Sequence, residues 1–402
     1  MFKNIPFFSK TLPIQNRSGE CRIITDIEGG NIHNVQMVKN NHFSMEIKPE
    51  IPSIYKIPNH HFYWFYFKAE GLENKTVRFD ITNCRWMRTH WRNYKPVFSA
   101  SENPDSLTQT KWEKINNTSL WWKTFSFQHK FKNDTAWIAL RYPYNYSRLK
   151  NLVSKNENTE FLDIEDLGFT RMGNSIYLLM ITDKRIPNTQ KKAILIYARE
   201  HGVEQDGSWV AEGMIDFLLS SHPQAVFLRK ICVFLIIPII APDAIIHGRT
   251  TDPNTGSFPG VEFSYESMES VEAGMVYRRV EKLVNQGTPL DICISLHNPH
   301  GTEPNIYSYF RTCASKSLLK KCHRFHDLVL KNAKEYTHWK IFIQKKLITS
   351  VGRFARDFDA VSIVYEVNHQ AKDNYLSVDK LKNIGRVILQ GSAEYYGYDQ
   401  SR

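Results

Sequence analysis

The pattern of apolar and polar positions changes rhythm near residue 150. Before that point apolar residues fall in short alternating or aromatic runs: Cys21–Thr25, His61–Lys68, Thr76–Ile81, Trp121–Phe127 and Thr135–Arg141. Clusters of Asn, Gly, Asp and Pro separate them. Short strands punctuated by turn signals predict an antiparallel β-sandwich over residues 1–150. The segment Tyr142–Tyr146 (YPYNY) closes this region, and a helical stretch, Ser147–Lys155, leads out of it. From about Thr170 apolar strands alternate with amphipathic helices. Ser175–Ile181, Ala193–Tyr197, Ile231–Ile240, Asp291–Leu296 and Ala360–Glu366 read as strands. Val210–Ser220, Glu266–Gln286, Ser315–Glu335 and Val378–Tyr396 read as helices. This alternation predicts an α/β domain over residues 151–402, with a mixed, mostly parallel central sheet and helices on both faces.

Composition narrows the class without changing it. The chain has 402 residues, 42% hydrophobic and 23% charged, as expected of a globular chain of two or three domains that each bury a core. The most apolar run, Ile231–Pro242, is too short to span a bilayer and is broken by Pro238, so it reads as a buried strand and no membrane partner is expected. Met1–Lys10 has neither an apolar core nor a small-residue cleavage site, which points to a cytoplasmic protein. The six cysteines, Cys21, Cys84, Cys232, Cys293, Cys313 and Cys322, show no C-x-x-C spacing and signal neither a disulfide framework nor a cysteine zinc site. The net charge of +11 favours acidic partners. Its basic residues are scattered, however, and clusters such as Arg85–Arg92 and Lys316–Arg324 are short and stand beside no nucleic-acid-binding motif. Nucleic acid is therefore not an expected partner, and the oligomeric state is not legible.

Candidate chemistry gathers where strands end. Ala193–Tyr197 runs into a polar turn holding His201, Glu204, Gln205, Asp206 and Gly207; Ser208 reads as an N-cap and Trp209–Ser220 as the following helix. His201 and Glu204 thus lie at the carboxyl end of a strand, where crevices form in open α/β sheets. An imidazole and a carboxylate three residues apart can converge on one divalent metal, and two His with one Glu form a catalytic zinc set. His297, which terminates Asp291–Leu296, can supply a third ligand; standing alone it would read as a hydrogen-bonded loop residue. It is preferred to His300 because it shares the rigidity of the strand. Glu366 ends the apolar run Val361–Tyr365, where a carboxylate is costly unless it is paired or employed. Beside a metal it can serve as a general base; otherwise it is a structural ion pair. In Ile239–Thr251, Asp243 can accept the second ring N–H of a ligand histidine and Arg249 can bind a substrate carbonyl or carboxylate.

In order and context, His201-x-x-Glu204 within AREHGVEQDGSWVAEG, His297 in SLHNPHG and Glu366 in SIVYE resemble the M14-type zinc carboxypeptidases. The cytosolic carboxypeptidase branch, which carries a β-sandwich domain before the catalytic domain, is the nearer likeness. GGNIHNVQ at Gly29–Gln36, YWFYF at Tyr63–Phe67, DITNCR at Asp80–Arg85 and the YPYNY exit carry it across nearly the whole chain. The resemblance implies one Zn2+ per chain, held by His201, Glu204 and His297. It implies Glu366 as the base that activates water and then protonates the leaving amine. It also implies Asp243 behind a zinc ligand, in a stretch A-P-D-A that looks like the family's N-P-D-G.

Two departures affect the substrate grip. The family holds the terminal carboxylate with the Asn-Arg of a D-L-N-R motif, and the aligned stretch Gly260–Tyr265 puts Ser264 and Tyr265 at those places. A hydroxyl pair grips a carboxylate more weakly than a guanidinium does. The family's carbonyl-polarising arginine finds its nearest counterpart in Arg249, about two residues from the expected place. The expected function is a zinc metallocarboxypeptidase acting on peptide or protein C-termini, with acidic tails suited to the positive charge. A zinc-dependent amidase or deacylase on the same fold, favoured by Ser264 and Tyr265, is the alternative. A degenerate hydrolase serving as a binding module is a third.

Overall fold

The computed structural model describes residues 20–52, 64–84, 91–108, 111–263, 271–299, 301–310, 314–333, 340–344, 350–371 and 374–399. Its first part is built from β1 (Arg22–Ile24), β2 (Ile32–Lys39), β3 (His42–Ile47), β4 (Tyr66–Glu70), β5 (Thr76–Ile81), β6 (Val97–Ser99), β7 (Glu113–Lys114), β8 (Asn117–Trp121), β9 (Thr124–Lys130) and β10 (Ala136–Ala139). They form two five-stranded sheets, ordered β1-β4-β10-β6-β7 and β2-β3-β5-β9-β8. The sheets pack face to face through aromatic rings: Phe67 lies 5.4 Å from Phe79, and Phe65 5.5 Å from Phe127, centroid to centroid. Such pairs add about 0.5–1.5 kcal/mol each beyond the area they bury.

The sandwich departs from the expected pattern in two ways. β3 and β5 run parallel, because the chain crosses to the other sheet through β4 between them. The run Trp121–Phe127, expected as one strand, is divided between β8 and β9 by a turn in which Trp122 takes φ +53°. A continuous aromatic run conceals such a turn, since no Gly, Asn or Pro marks it. The strand β2 lacks a regular alternation of apolar and polar positions, since its second half, including Met37 and Val38, faces outward, and it was not read from sequence.

The second part follows through α1 (Tyr146–Asn156), which spans residue 150. It contains β11 (Leu162–Phe169), β12 (Ser175–Ile181), β13 (Lys192–Ala198), α2 (Gln205–Leu219), α3 (Pro223–Ile231), β14 (Cys232–Ile237), α4 (Pro242–Ile246), α5 (Pro259–Glu262), α6 (Val271–Asn285), β15 (Leu290–His297), β16 (Ile306–Phe310), α7 (Lys316–Asn332), β17 (Lys340–Gln344), α8 (Ser350–Phe358), β18 (Val361–Glu366) and α9 (Val378–Tyr395). Eight strands form one sheet in the order β11-β12-β14-β13-β15-β18-β16-β17. The core of this sheet, β14-β13-β15-β18, is parallel, while β11, β12 and the β16–β18 pair introduce antiparallel neighbours.

Both faces of the sheet are covered. Along β13, Ile194, Ile196 and Ala198 join one apolar core with Trp209, Val210 and Met214 of α2. Ala193, Leu195 and Tyr197 join the other with Ala273, Val276 and Val280 of α6. Fully burying each Ile or Leu stabilises by about 1.5–3 kcal/mol, so the apolar runs define the sheet. Because β13, β15 and β18 are adjacent and parallel, their carboxyl ends lie side by side. His201 and Glu204 follow the first, His297 ends the second and Glu366 ends the third.

Candidate metal centre

The chain leaves β13 through Arg199, whose φ of +69° lies in the left-handed region. Such a conformation costs about 1–3 kcal/mol and persists only when the surroundings fix it. Here they do so through the buried guanidinium, which donates to the carbonyls of Gly202 and Tyr144, with Nη1 2.9 Å from the latter. Helix α2 begins at Gln205, earlier than the Trp209 start read from sequence, so Glu204 stands at its N-cap position. Ser208, expected as the cap, lies inside the helix, and its hydroxyl donates to the Pro238 carbonyl at 2.8 Å. The early start is possible because Gly207 lacks a side chain: a Cβ there would lie 2.8 Å from the Leu296 carbonyl oxygen. The first turn of α2 thus rests against the end of β15, which brings Glu204 to His297.

His201, Glu204 and His297 each offer a ligand atom, and these atoms lie within 4.8 Å of one another. His201 Nδ1 is 2.9 Å from Glu204 Oε1, and His297 Nδ1 is 2.7 Å from Glu204 Oε2. The two rings stand 5.4 Å apart at 63°. Burial pushes the Glu204 carboxyl up, but the two imidazoles outweigh it and hold the group well below the carboxylate range. Burial lowers His297 in turn, and Glu204 and Glu200 more than reverse this, leaving it well above an ordinary histidine. Two imidazole nitrogens and one carboxylate oxygen converging at this spacing form the donor set of a catalytic zinc site, and the residues fit that ion.

Glu366 is the register partner of His297 on β18. Burial first, and then the charge of Glu204, raise its carboxyl to about 7, with His297 and His201 pulling the other way. A carboxyl that titrates near neutrality is matched to proton transfer. Glu200, not singled out from sequence, is buried with Oε2 3.4 Å from His297 Nε2.

Behind the cluster lies a polar layer that the sequence did not reveal. Asp206, fully buried, accepts from the Asn298 side chain at 2.7 Å, from the His369 backbone at 2.8 Å and from the Arg141 guanidinium at 3.3 Å; His369 Nδ1 lies 2.9 Å away. Arg141 also donates to Pro299 and Asn368. One carboxylate therefore ties the start of α2, the end of β15, the segment after β18 and the exit from the sandwich. Burial would raise Asp206, but His369 and Arg141 hold it below its usual value. In sequence these residues are far apart, and only the polarity of Asp206 in the turn after β13 hinted at a role.

The remaining expected residues are placed differently. Asp243 accepts from Thr170 Oγ1 at 2.6 Å, Asn174 Nδ2 at 2.7 Å and the Met172 N–H at 3.1 Å, so it pins the turn between β11 and β12; among the described residues neither histidine ligand is bonded to it. Asp243 also belongs to an acidic trio with Asp252 and Glu272. Arg249 sends its guanidinium to the Pro49 carbonyl, while the Thr250 N–H and Thr251 hydroxyl donate to Glu50 at 2.9 and 3.1 Å. That stretch is a seam with the sandwich. Ser264, Tyr265 and His300 lie outside the described residues, as do Met1–Lys10 and Cys313. Phe258 and Gly260 border the cluster instead: the Phe258 ring lies 4.3 Å from His201, and a Cβ at Gly260 would overlap the Glu200 carboxylate.

Residues 23–140 match the family model of the cytosolic carboxypeptidase N-terminal domain, and residues 145–257 that of zinc carboxypeptidase. The chain is 26% identical to cytosolic carboxypeptidase 3 of Bos taurus over 318 residues, which is 74% of this chain and 31% of that protein. It is 25% identical to cytosolic carboxypeptidase 2 of Xenopus tropicalis over 411 residues, 93% of this chain and 42% of that protein. The chain thus spans less than half the length of these relatives. In fold it is similar to a metallo-carboxypeptidase from Burkholderia cenocepacia, with a TM-score of 0.80, 18% identity, and coverage of 94% of this chain and 99% of that one.

Proposed function

The chain belongs to the M14-type zinc carboxypeptidases, in the branch of the cytosolic carboxypeptidases, and from this we propose that it is a zinc metallocarboxypeptidase hydrolysing C-terminal residues of peptides or proteins. The observation that carries the reading is the convergence of His201, Glu204 and His297 at adjacent carboxyl ends of β13 and β15, with Glu366 in register beside them. One Zn2+ held by the three ligands would polarise the scissile carbonyl and acidify water at neutral pH. Glu366 takes the proton of the attacking water and passes it to the leaving amine, which its titration near 7 suits. The left-handed Arg199 and the Asp206 layer flank the turn and strand end that carry the ligands, an arrangement that favours a preorganised site. Asp243 is assigned to the support of the β11–β12 turn and Ser264 and Tyr265 to substrate binding, while Arg249, expected to bind substrate, meets the Pro49 carbonyl at the seam with the sandwich. A cytoplasmic location is part of the proposal, supported by relatives named cytosolic carboxypeptidases; among the described residues no helix is long and apolar enough to cross a membrane.

A second reading, an amidase or deacylase that needs no free terminal carboxylate, is favoured by the apolar Phe258 and the bare Gly260 beside the cluster and by the Pro49 contact of Arg249. Mass spectrometry of peptide digests separates the two. Zinc-loaded protein is given peptides with free and with amidated C-termini, glutamate-tailed and apolar, with Glu366→Gln as control. Stepwise loss from free termini alone is the expected result. Cleavage of amidated peptides would replace the carboxypeptidase reading with the amidase one, and no cleavage despite bound zinc would overturn the carboxypeptidase reading and move the weight to an amidase on non-peptide or modified substrates.

A further inference from the structure

We propose that Glu200 is the positioning carboxylate of this metal centre, engaging Nε2 of His297 so that Nδ1 is presented to the metal. The inference rests on the zinc-site reading above and adds a residue to it. His297 has two ring nitrogens, and only one faces its fellow ligands: Nδ1 lies 2.7 Å from Glu204 Oε2, while Nε2 lies 3.4 Å from Glu200 Oε2. A neutral imidazole carries one proton, and a ligand histidine must keep it on the nitrogen turned away from the metal. A carboxylate behind that nitrogen fixes the tautomer, fixes the ring plane and makes the ligand more basic.

Asp243, the residue expected to do this, spends its oxygens on Thr170, Met172 and Asn174. Glu200 is placed for the task by the left-handed Arg199 before it, and its carboxylate is buried in the space left by Gly260. Glu200 and Gly260 therefore make a matched pair: a side chain at 260 would push the carboxylate off His297.

The test measures metal affinity on the full chain without substrate. Zinc is titrated against a chromogenic chelator for the parent, Glu200→Ala, Glu200→Gln and Gly260→Ala, and the visible spectrum of each cobalt-loaded protein is recorded. Glu200→Ala is expected to weaken zinc binding about 10–100-fold and to change the cobalt spectrum. Glu200→Gln keeps an acceptor and should lose less. Gly260→Ala, with Glu200 still present, should move in the direction of Glu200→Ala. Parental affinity and an unchanged spectrum in folded Glu200→Ala would overturn the role of Glu200 alone. If that variant does not fold, parental values in both Glu200→Gln and Gly260→Ala would do the same. A parent that binds no zinc would instead overturn the metal-centre reading itself.

Discussion

His297 and Glu366 are direct register partners on the parallel strands β15 and β18, and the Val367 N–H donates to the His297 carbonyl at 2.8 Å. The proposed metal ligand and the proposed base are thus held at a fixed separation by backbone pairing rather than by loops. Replacing Glu366 with Gln leaves this pairing and the three ligands in place. The variant is expected to bind zinc like the parent and to lose turnover by about 10²–10⁴-fold, the usual worth of a positioned general base. Steady-state rates beside zinc content by elemental analysis check it; turnover near the parental rate would move the base elsewhere.

Burial lowers the His297 imidazole, but Glu204 and Glu200 outweigh it and leave the group well above an ordinary histidine. A zinc ligand must be neutral, so zinc binding at pH 7 should release at least one proton and tighten as pH rises. Calorimetric titrations in two buffers of different ionisation heat count the protons. A count of zero would mean that His297 is neutral before the metal arrives or is not a ligand. His201→Ala and His297→Ala should each lose most of the zinc, with His297→Ala also losing this proton release.

The parts of this molecule that were legible in sequence are those that a local pattern controls. Ala193–Tyr197, Asp291–Leu296 and Ala360–Glu366 are short, largely buried runs, and a residue at the end of such a run lies at the carboxyl end of its strand whatever surrounds it. His201, Glu204, His297 and Glu366 were singled out that way, and the structure brings the first three together with Glu366 in register beside His297. What escaped depends on contacts across the fold. Asp206 meets Arg141 and His369 through separations of 65 and 163 residues. Glu200 gains its meaning only once Arg199 turns left-handed and Gly260 makes room. Asp243 was read from its place after a strand and from the family likeness, but its partners Thr170 and Asn174 belong to a turn beyond an edge strand, β11, whose acidic residues concealed it.

The pH dependence of stability offers a separate check on Glu366. Its carboxyl titrates near 7 in the folded, metal-free protein against a reference of 4.5. Between these values the folded state keeps a proton that the unfolded chain has already lost. The contribution of this group to stability therefore falls as pH rises from 4.5 to about 7, and is constant above. Urea unfolding of the metal-free protein across this range should show the decline, and Glu366→Gln should flatten it. An identical slope in both proteins would show that Glu366 ionises at its ordinary value.

The Asp206 layer makes an ordering of stabilities that can be tested. Deleting the carboxylate in Asp206→Ala strips Arg141, Asn298 and the His369 backbone of a shared buried acceptor. Removing one side of a buried charge pair costs about 3–5 kcal/mol, because the partner stays buried without its counter-charge. Deleting the guanidinium in Arg141→Ala leaves Asp206 with donors from Asn298 and His369, so the smaller loss is expected there. If the layer also holds the ligands, both variants should weaken zinc binding in the same order, although Arg141 enters from the sandwich and touches none of the three. Urea unfolding and chelator competition on the two variants decide it. A greater loss in Arg141→Ala than in Asp206→Ala would show that the arginine is held chiefly by Pro299 and Asn368, and that the carboxylate is not the hub joining the sandwich to the metal centre.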